Sequence, residues 1–80
     1  MTRVLLREYS CYFRDANTVC IYLKKRGYIL LNQCVEYNYR YTFVIRHSSL
    51  ADVTKCNLIL SGIDTEDKIH ISDIVMSSPC

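Results

Sequence analysis

Five cysteines, two histidines and a run of acids supply the groups that could do chemistry in this 80-residue chain, and their spacing decides which chemistries are open. Cys11, Cys20, Cys34, Cys56 and Cys80 lie far apart with no CxxC pair, so a zinc site with His47 or His70 would need four ligands from unrelated segments. A cysteine nucleophile needs a histidine close in space, and no local signature surrounds any of the five. Glu66, Asp67 and Asp73 lie in and beside an acidic loop, the usual setting of a solvated charge run. Gly27 and Gly62 are the only glycines, which leaves no GxxxxGK[ST] or GxGxxG loop for a phosphate. The expectation is a non-enzymatic chain with no metal and no cofactor.

The remaining concentration of chemistry is aromatic and basic. "QCVEYNYRYTFVIRH", residues 33–47, places Tyr37, Tyr39, Tyr41 and Phe43 at alternate positions, with Arg40 and Arg46 between and beyond them. Such a stripe either stacks on a ligand or fills a core. Lys24, Lys25 and Arg26 form a second basic group. Residues 1–47 hold eight basic against three acidic side chains, a net +5, and residues 48–80 hold two against five, a net −3. A split of this kind is either neutralised within one fold, leaving an ordinary solvated mixed surface, which is the favoured expectation, or leaves a basic face and an acidic edge that suit charged partners.

Composition bounds the setting. Half the residues are apolar and 22% are charged, a globular balance that predicts one ordered domain over residues 1–80 with a mobile tail at 77–80. The run Val4-Leu5-Leu6 is cut by Arg7 and Glu8, too short for a signal peptide, and Val19 to Leu23 falls far short of the ~20 apolar residues of a membrane span. Scattered cysteines in odd number fit a reducing compartment, so an intracellular, cytoplasmic location with no membrane partner is expected. Cys80, after Ser77-Ser78-Pro79, is expected to present an exposed thiol.

The elements that position these groups follow from periodicity. Residues 4–13 alternate, with Leu5, Tyr9, Cys11 and Phe13 on one side, and predict a strand. Asp15 offers an N-cap, Ala16, Val19, Cys20 and Leu23 recur at helical spacing, Lys24-Lys25-Arg26 complements a helix C-terminus and Gly27 stops it, which predicts a helix over about 16–26. A strand from Tyr28 to Glu36 then leads to the aromatic stripe. A three-residue loop at 37–39 would pair Glu36 with Arg40, Val35 with Tyr41 and Gln33 with Phe43, keeping polar opposite polar. The next segment supports two readings. Ser49 and Asp52 begin a helix whose face is Leu50, Val53 and Leu60, while Cys56, Leu58 and Leu60 alternate as a strand. Lys68 to Val75 predicts a last strand with Ile69 and Ile71 inward.

Both readings are α+β: a mainly antiparallel sheet of four or five strands, arranged as a ferredoxin-like β-α-β-β-α-β or as a β-α-β-β-β-β meander. In the first, Arg40, Tyr41, Thr42, Phe43 and Val44 on the third strand resemble the aromatic motif of RNA-recognition domains, a resemblance that implies base stacking on Tyr41 and Phe43 with Lys24, Lys25 and Arg26 on the phosphates. Arg40 stands where that family has glycine, and Leu5 stands where its first strand has an aromatic. Exposing Tyr41 and Phe43 would also turn Arg46 toward the helices and bury a charge. The favoured expectation is therefore a protein-binding module, a small regulator or inhibitor that occupies another protein through Tyr37, Tyr39, Tyr41, Arg40 and Arg46, with a homodimer expected for so small a domain. Binding of RNA or single-stranded nucleic acid is the alternative. Two alanines, two glycines and one proline beside many Ile, Tyr, Asn and Cys residues suggest an AT-rich coding source of the viral or mobile-element kind.

Overall fold

The computed structural model describes residues 4–36, 39–65 and 68–77. Alternation in the first segment makes β1, Val4–Tyr12, with Leu5, Tyr9 and Cys11 buried on one face and Glu8 exposed on the other. The chain passes directly from β1 into α1, Phe13–Lys25, with no intervening loop. Ala16, Val19 and Leu23, spaced three and four apart, face the sheet and are buried. Two details of the sequence reading are corrected. Asp15 is not the cap: Tyr12 occupies that position without a side-chain bond, and Asp15 is buried in the first turn, where its carboxylate complements the helix dipole. Phe13, expected inside, is 53% exposed because it has left the strand and begun the helix. Arg26 caps the C-terminus and Gly27 adopts φ 87°, the left-handed conformation that ends the helix at low cost only for glycine.

The hairpin that follows pairs β2, Leu30–Glu36, with β3, Arg40–His47. Glu36 faces Arg40 and Val35 faces Tyr41, the register of a three-residue loop at 37–39; residues 37 and 38 lie outside the described residues. Gln33 does not pair with Phe43. Between Leu31 and Cys34 the register slips by one, so Leu31 faces Val44 and Leu30 faces Ile45. Asn32, at φ 49°, takes up the extra residue as a bulge, a conformation asparagine tolerates. The slip turns Leu30 inward and leaves Leu31 38% exposed.

Residues Leu50–Ser61 form helix α2 and not a strand. Ser49 Oγ accepts the Asp52 N–H at 3.1 Å, an N-cap, and the buried set is Val53, Cys56 and Leu60, while Leu50 and Leu58 are exposed. The expected last strand is two short pieces, β4 (His70–Ile71) and β5 (Val75–Ser77), both paired with β1. Ser72 breaks the run because its hydroxyl takes the Glu8 N–H at 3.0 Å and its carbonyl takes Arg7 Nε at 2.7 Å. Ser77, expected in a mobile tail, pairs with Val4.

The product is an antiparallel sheet in the order β2-β3-β1-β4, with β5 beside β4 on the same strand. The element order is β-α-β-β-α-β-β, the last two strands standing where one was expected, and β1 and β2 run the same way with β3 between them. Both helices pack on one face, where Tyr9, Cys11, Phe43 and Ile45 meet Val19, Leu23, Cys56 and Leu60. Tyr9 and Phe43 stack across β1 and β3 with ring centroids 5.5 Å apart. The opposite face, with Glu8, Arg46 and Leu31, carries no helix among the described residues.

Candidate interaction sites at the two ends of the sheet

The aromatic stripe divides where the hairpin begins. Tyr41 and Phe43 are 7% and 0% exposed, pointing at the helices as the packing argument required, so neither presents a ring to a base or to a partner. That corrects their assignment to a binding surface. The Tyr41 hydroxyl donates to Gln33 Oε1 and receives the Cys20 thiol at 3.3 Å, and burial, with Cys20 adding to it, holds its proton well above the ordinary tyrosine range. Tyr39, by contrast, is 80% exposed at φ 58°. A bulky residue is rarely found in that left-handed region. Tyr37 lies outside the described residues.

Tyr39 has neighbours that periodicity did not assign to it. Tyr12, Phe13, Arg14 and Tyr39 line one cleft of about 450 Å³ at the hairpin end of the sheet. The direct passage from β1 into α1 is the cause, since it places Phe13 at the first helical position with its ring outward. Above the Tyr12 ring stand Arg14 at 5.6 Å and Arg40 at 5.3 Å, and Arg40 is further fixed by donating to Ser10 Oγ at 2.7 Å. Each cation over a ring contributes roughly 0.5–1 kcal/mol at an exposed site. The cleft therefore offers rigid rings beside oriented guanidinium groups.

A different chemistry lies at the other end, where β3 meets α2. His47 carries a fully enclosed side chain; its Nδ1 is 2.7 Å from Asp52 Oδ2 and its Nε2 is 2.8 Å from the Tyr9 hydroxyl. A carboxylate only accepts, so Nδ1 carries a hydrogen toward Asp52, while Nε2 shares a hydrogen bond with the Tyr9 hydroxyl. Tyr28 O–H donates to the second carboxylate oxygen at 3.3 Å. Burial raises the Tyr9 hydroxyl far above its usual range and pushes Tyr28 up to about 12, in both cases with Cys56 adding to the effect. The Cys56 thiol is itself raised by burial, and Cys11 is pushed up to about 11. With both ring nitrogens occupied, His47 ties the end of β3 to the start of α2.

Around this tie the structure gathers cations from three elements. Arg26, Arg46 and Lys55 line a cleft of about 260 Å³ together with Gly27, Tyr28, Ile29, Ser48 and Asp52. Lys24 and Lys25, grouped with Arg26 in the sequence, are exposed on the last turn of α1 and do not line it. Arg46 and Arg40 likewise separate to opposite ends of β3. His70 and Asp73 are exposed, Glu66, Asp67 and Cys80 lie outside the described residues, and among the described residues no three His, Cys, Asp or Glu side chains are placed to hold a metal. No described helix is long and apolar enough to cross a membrane. The chain matches no family model, no curated protein and no solved structure.

Proposed function

We propose that this chain is a non-enzymatic protein-binding module, a small intracellular regulator acting by occupancy, and that its principal contact is the aromatic end of the sheet. One observation carries the reading: Phe13 and Tyr39, 53% and 80% exposed, share a cleft with Tyr12 and Arg14 and contribute nothing to the chain's own core. Rigid aromatic rings with arginine are the composition of interface hot spots, which bury large area at low entropic cost. A partner segment with an apolar side chain next to a carboxylate would satisfy rings and guanidinium together.

The same rings favour a second reading, single-stranded nucleic acid, in which the stacking pair moves from the buried Tyr41 and Phe43 to Tyr39 and Phe13. Capture from nuclease-treated and untreated lysates separates the two. On the first reading the Phe13→Ser, Tyr39→Ser double variant folds normally and loses the captured protein, by ~2 kcal/mol or more once affinity is measured on the purified partner, while Lys24→Gln, Lys25→Gln and Arg26→Gln together change little. Capture that vanishes with nuclease, or follows the basic triple variant with a steep salt slope, assigns the chain to nucleic acid instead.

A further inference from the structure

We propose that the cleft bounded by Arg26, Arg46 and Lys55 is a binding site for a phosphate group, free or as a monoester. Three cations converge there from the C-cap of α1, the end of β3 and the middle of α2. Among the described residues the one acidic side chain lining the cleft is Asp52, and both of its oxygens are taken, one by the His47 ring and one by the Tyr28 hydroxyl. Three positive charges against one negative leave a net charge of two, which matches the −1.5 to −2 carried by a phosphate monoester near neutral pH.

The donors are also uncommitted. Arg46, Lys55 and the Ser48 side chain make no hydrogen bond or ion pair among the described residues. Arg26 is partly spent and, by the same contacts, oriented: its guanidinium lies 3.7 Å over the Tyr22 ring and one nitrogen donates to the Tyr22 carbonyl, leaving the rest of its planar fork open. Like charges lining one cleft repel, and an anion seated among them would relieve that repulsion. Its size fits a head group, since about 260 Å³ falls just under the ~300–1,000 Å³ of sites that enclose a whole small molecule. The site lies at the opposite end of β3 from the aromatic cleft and does not rest on the protein-binding reading.

Amide NMR titration of the full chain with inorganic phosphate and with ribose 5-phosphate, at constant ionic strength in chloride, tests the site. The expected result is saturable shifts centred on Arg26, Gly27, Ser48 and Lys55. Equal affinity for both probes identifies a free anion as the ligand, and tighter binding of the sugar phosphate identifies a monoester. The Arg46→Gln, Lys55→Gln variant, both surface changes, should keep the fold and weaken binding by roughly tenfold or more, the loss of charge-assisted hydrogen bonds. Lys24→Gln with Lys25→Gln should leave it unchanged. Shifts that never saturate, that spread equally over Lys24 and Lys25, or that survive in the Arg46→Gln, Lys55→Gln variant overturn the proposal.

Discussion

At the residue scale the informative side chain is His47, which sequence reading treats only as a possible ligand or base. Parity held the better clue. His47 continues the inward series Tyr41, Phe43, Ile45, and an imidazole at such a position must find a partner for each nitrogen or leave one buried and unsatisfied. What periodicity could not supply is the identity of those partners, because Tyr9 and Asp52 come from another strand and from a helix. The tie has a measurable consequence. Tyr9→Phe keeps the ring that stacks on Phe43 and deletes only the hydroxyl, so His47 Nε2 loses its hydrogen-bond partner inside the core. The expected loss is ~1–3 kcal/mol in urea denaturation, the cost of an unsatisfied buried polar group. Tyr28→Phe, at a half-buried residue with a longer 3.3 Å bond, should cost less. Equal or negligible losses in the two variants would remove the distinction drawn between them.

At the element scale, what was legible depended on how many independent signals converged. The C-terminal half of α1 combined spacing, terminal charge and a glycine stop, and it ends as expected; at its start Asp15 offered a cap, but the strand runs straight into the helix at Tyr12 and Asp15 lies within the first turn, so the helix begins at Phe13, three residues before the expected start at 16. The segment 50–61 satisfied both periods at once. Only burial separates them, since Val53, Cys56 and Leu60 are inside while Leu58, needed by the strand pattern, is 69% exposed. Hairpin register was legible next to its loop, where charge opposed charge, and became illegible at Asn32, because a bulge exchanges inside for outside without changing residue types. The aromatic cleft was partly legible: Tyr39 stood out, as did Arg40 over the Tyr12 ring beside it, whereas Phe13 and Arg14 depended on the direct passage from strand to helix. The α1 face gives the sharpest test of packing. Leu23 is fully buried between helix and sheet, so Leu23→Ala should cost ~2–4 kcal/mol by chemical denaturation. A loss under roughly half a kcal/mol would mean the site collapses around the deletion or is not packed as described.

At the scale of the whole molecule, the sheet leaves a surface that one chain does not close. A domain this short buries only ~60–65% of its unfolded surface, and here both helices are spent on one side of the sheet. On the flanks the situation is unequal. One side of β1 is covered by β4 and β5, whereas β2 is the outer strand at the other flank, with Leu31, Cys34 and Val35 exposed. Its sequence, LLNQCVE, has neither lysine nor proline to discourage pairing, and its only charge is Glu36. The bulge at Asn32 blunts the edge by interrupting the ladder partway along. Those opposing effects predict a homodimer through β2 that is modest in strength, on the order of micromolar, about 8 kcal/mol of association free energy. Sedimentation of reduced protein across that concentration range should show a monomer–dimer equilibrium. Val35→Lys should shift it to monomer while leaving the thermal transition nearly unchanged, because Val35 is 55% exposed and outside the core. A dimer that survives Val35→Lys is joined elsewhere, and the uncovered face with Leu31 and Arg46 then becomes the surface to test. A chain that stays monomeric at every concentration keeps its edge for a different partner, and the aromatic cleft at the end of the same hairpin is the surface such a partner would meet next.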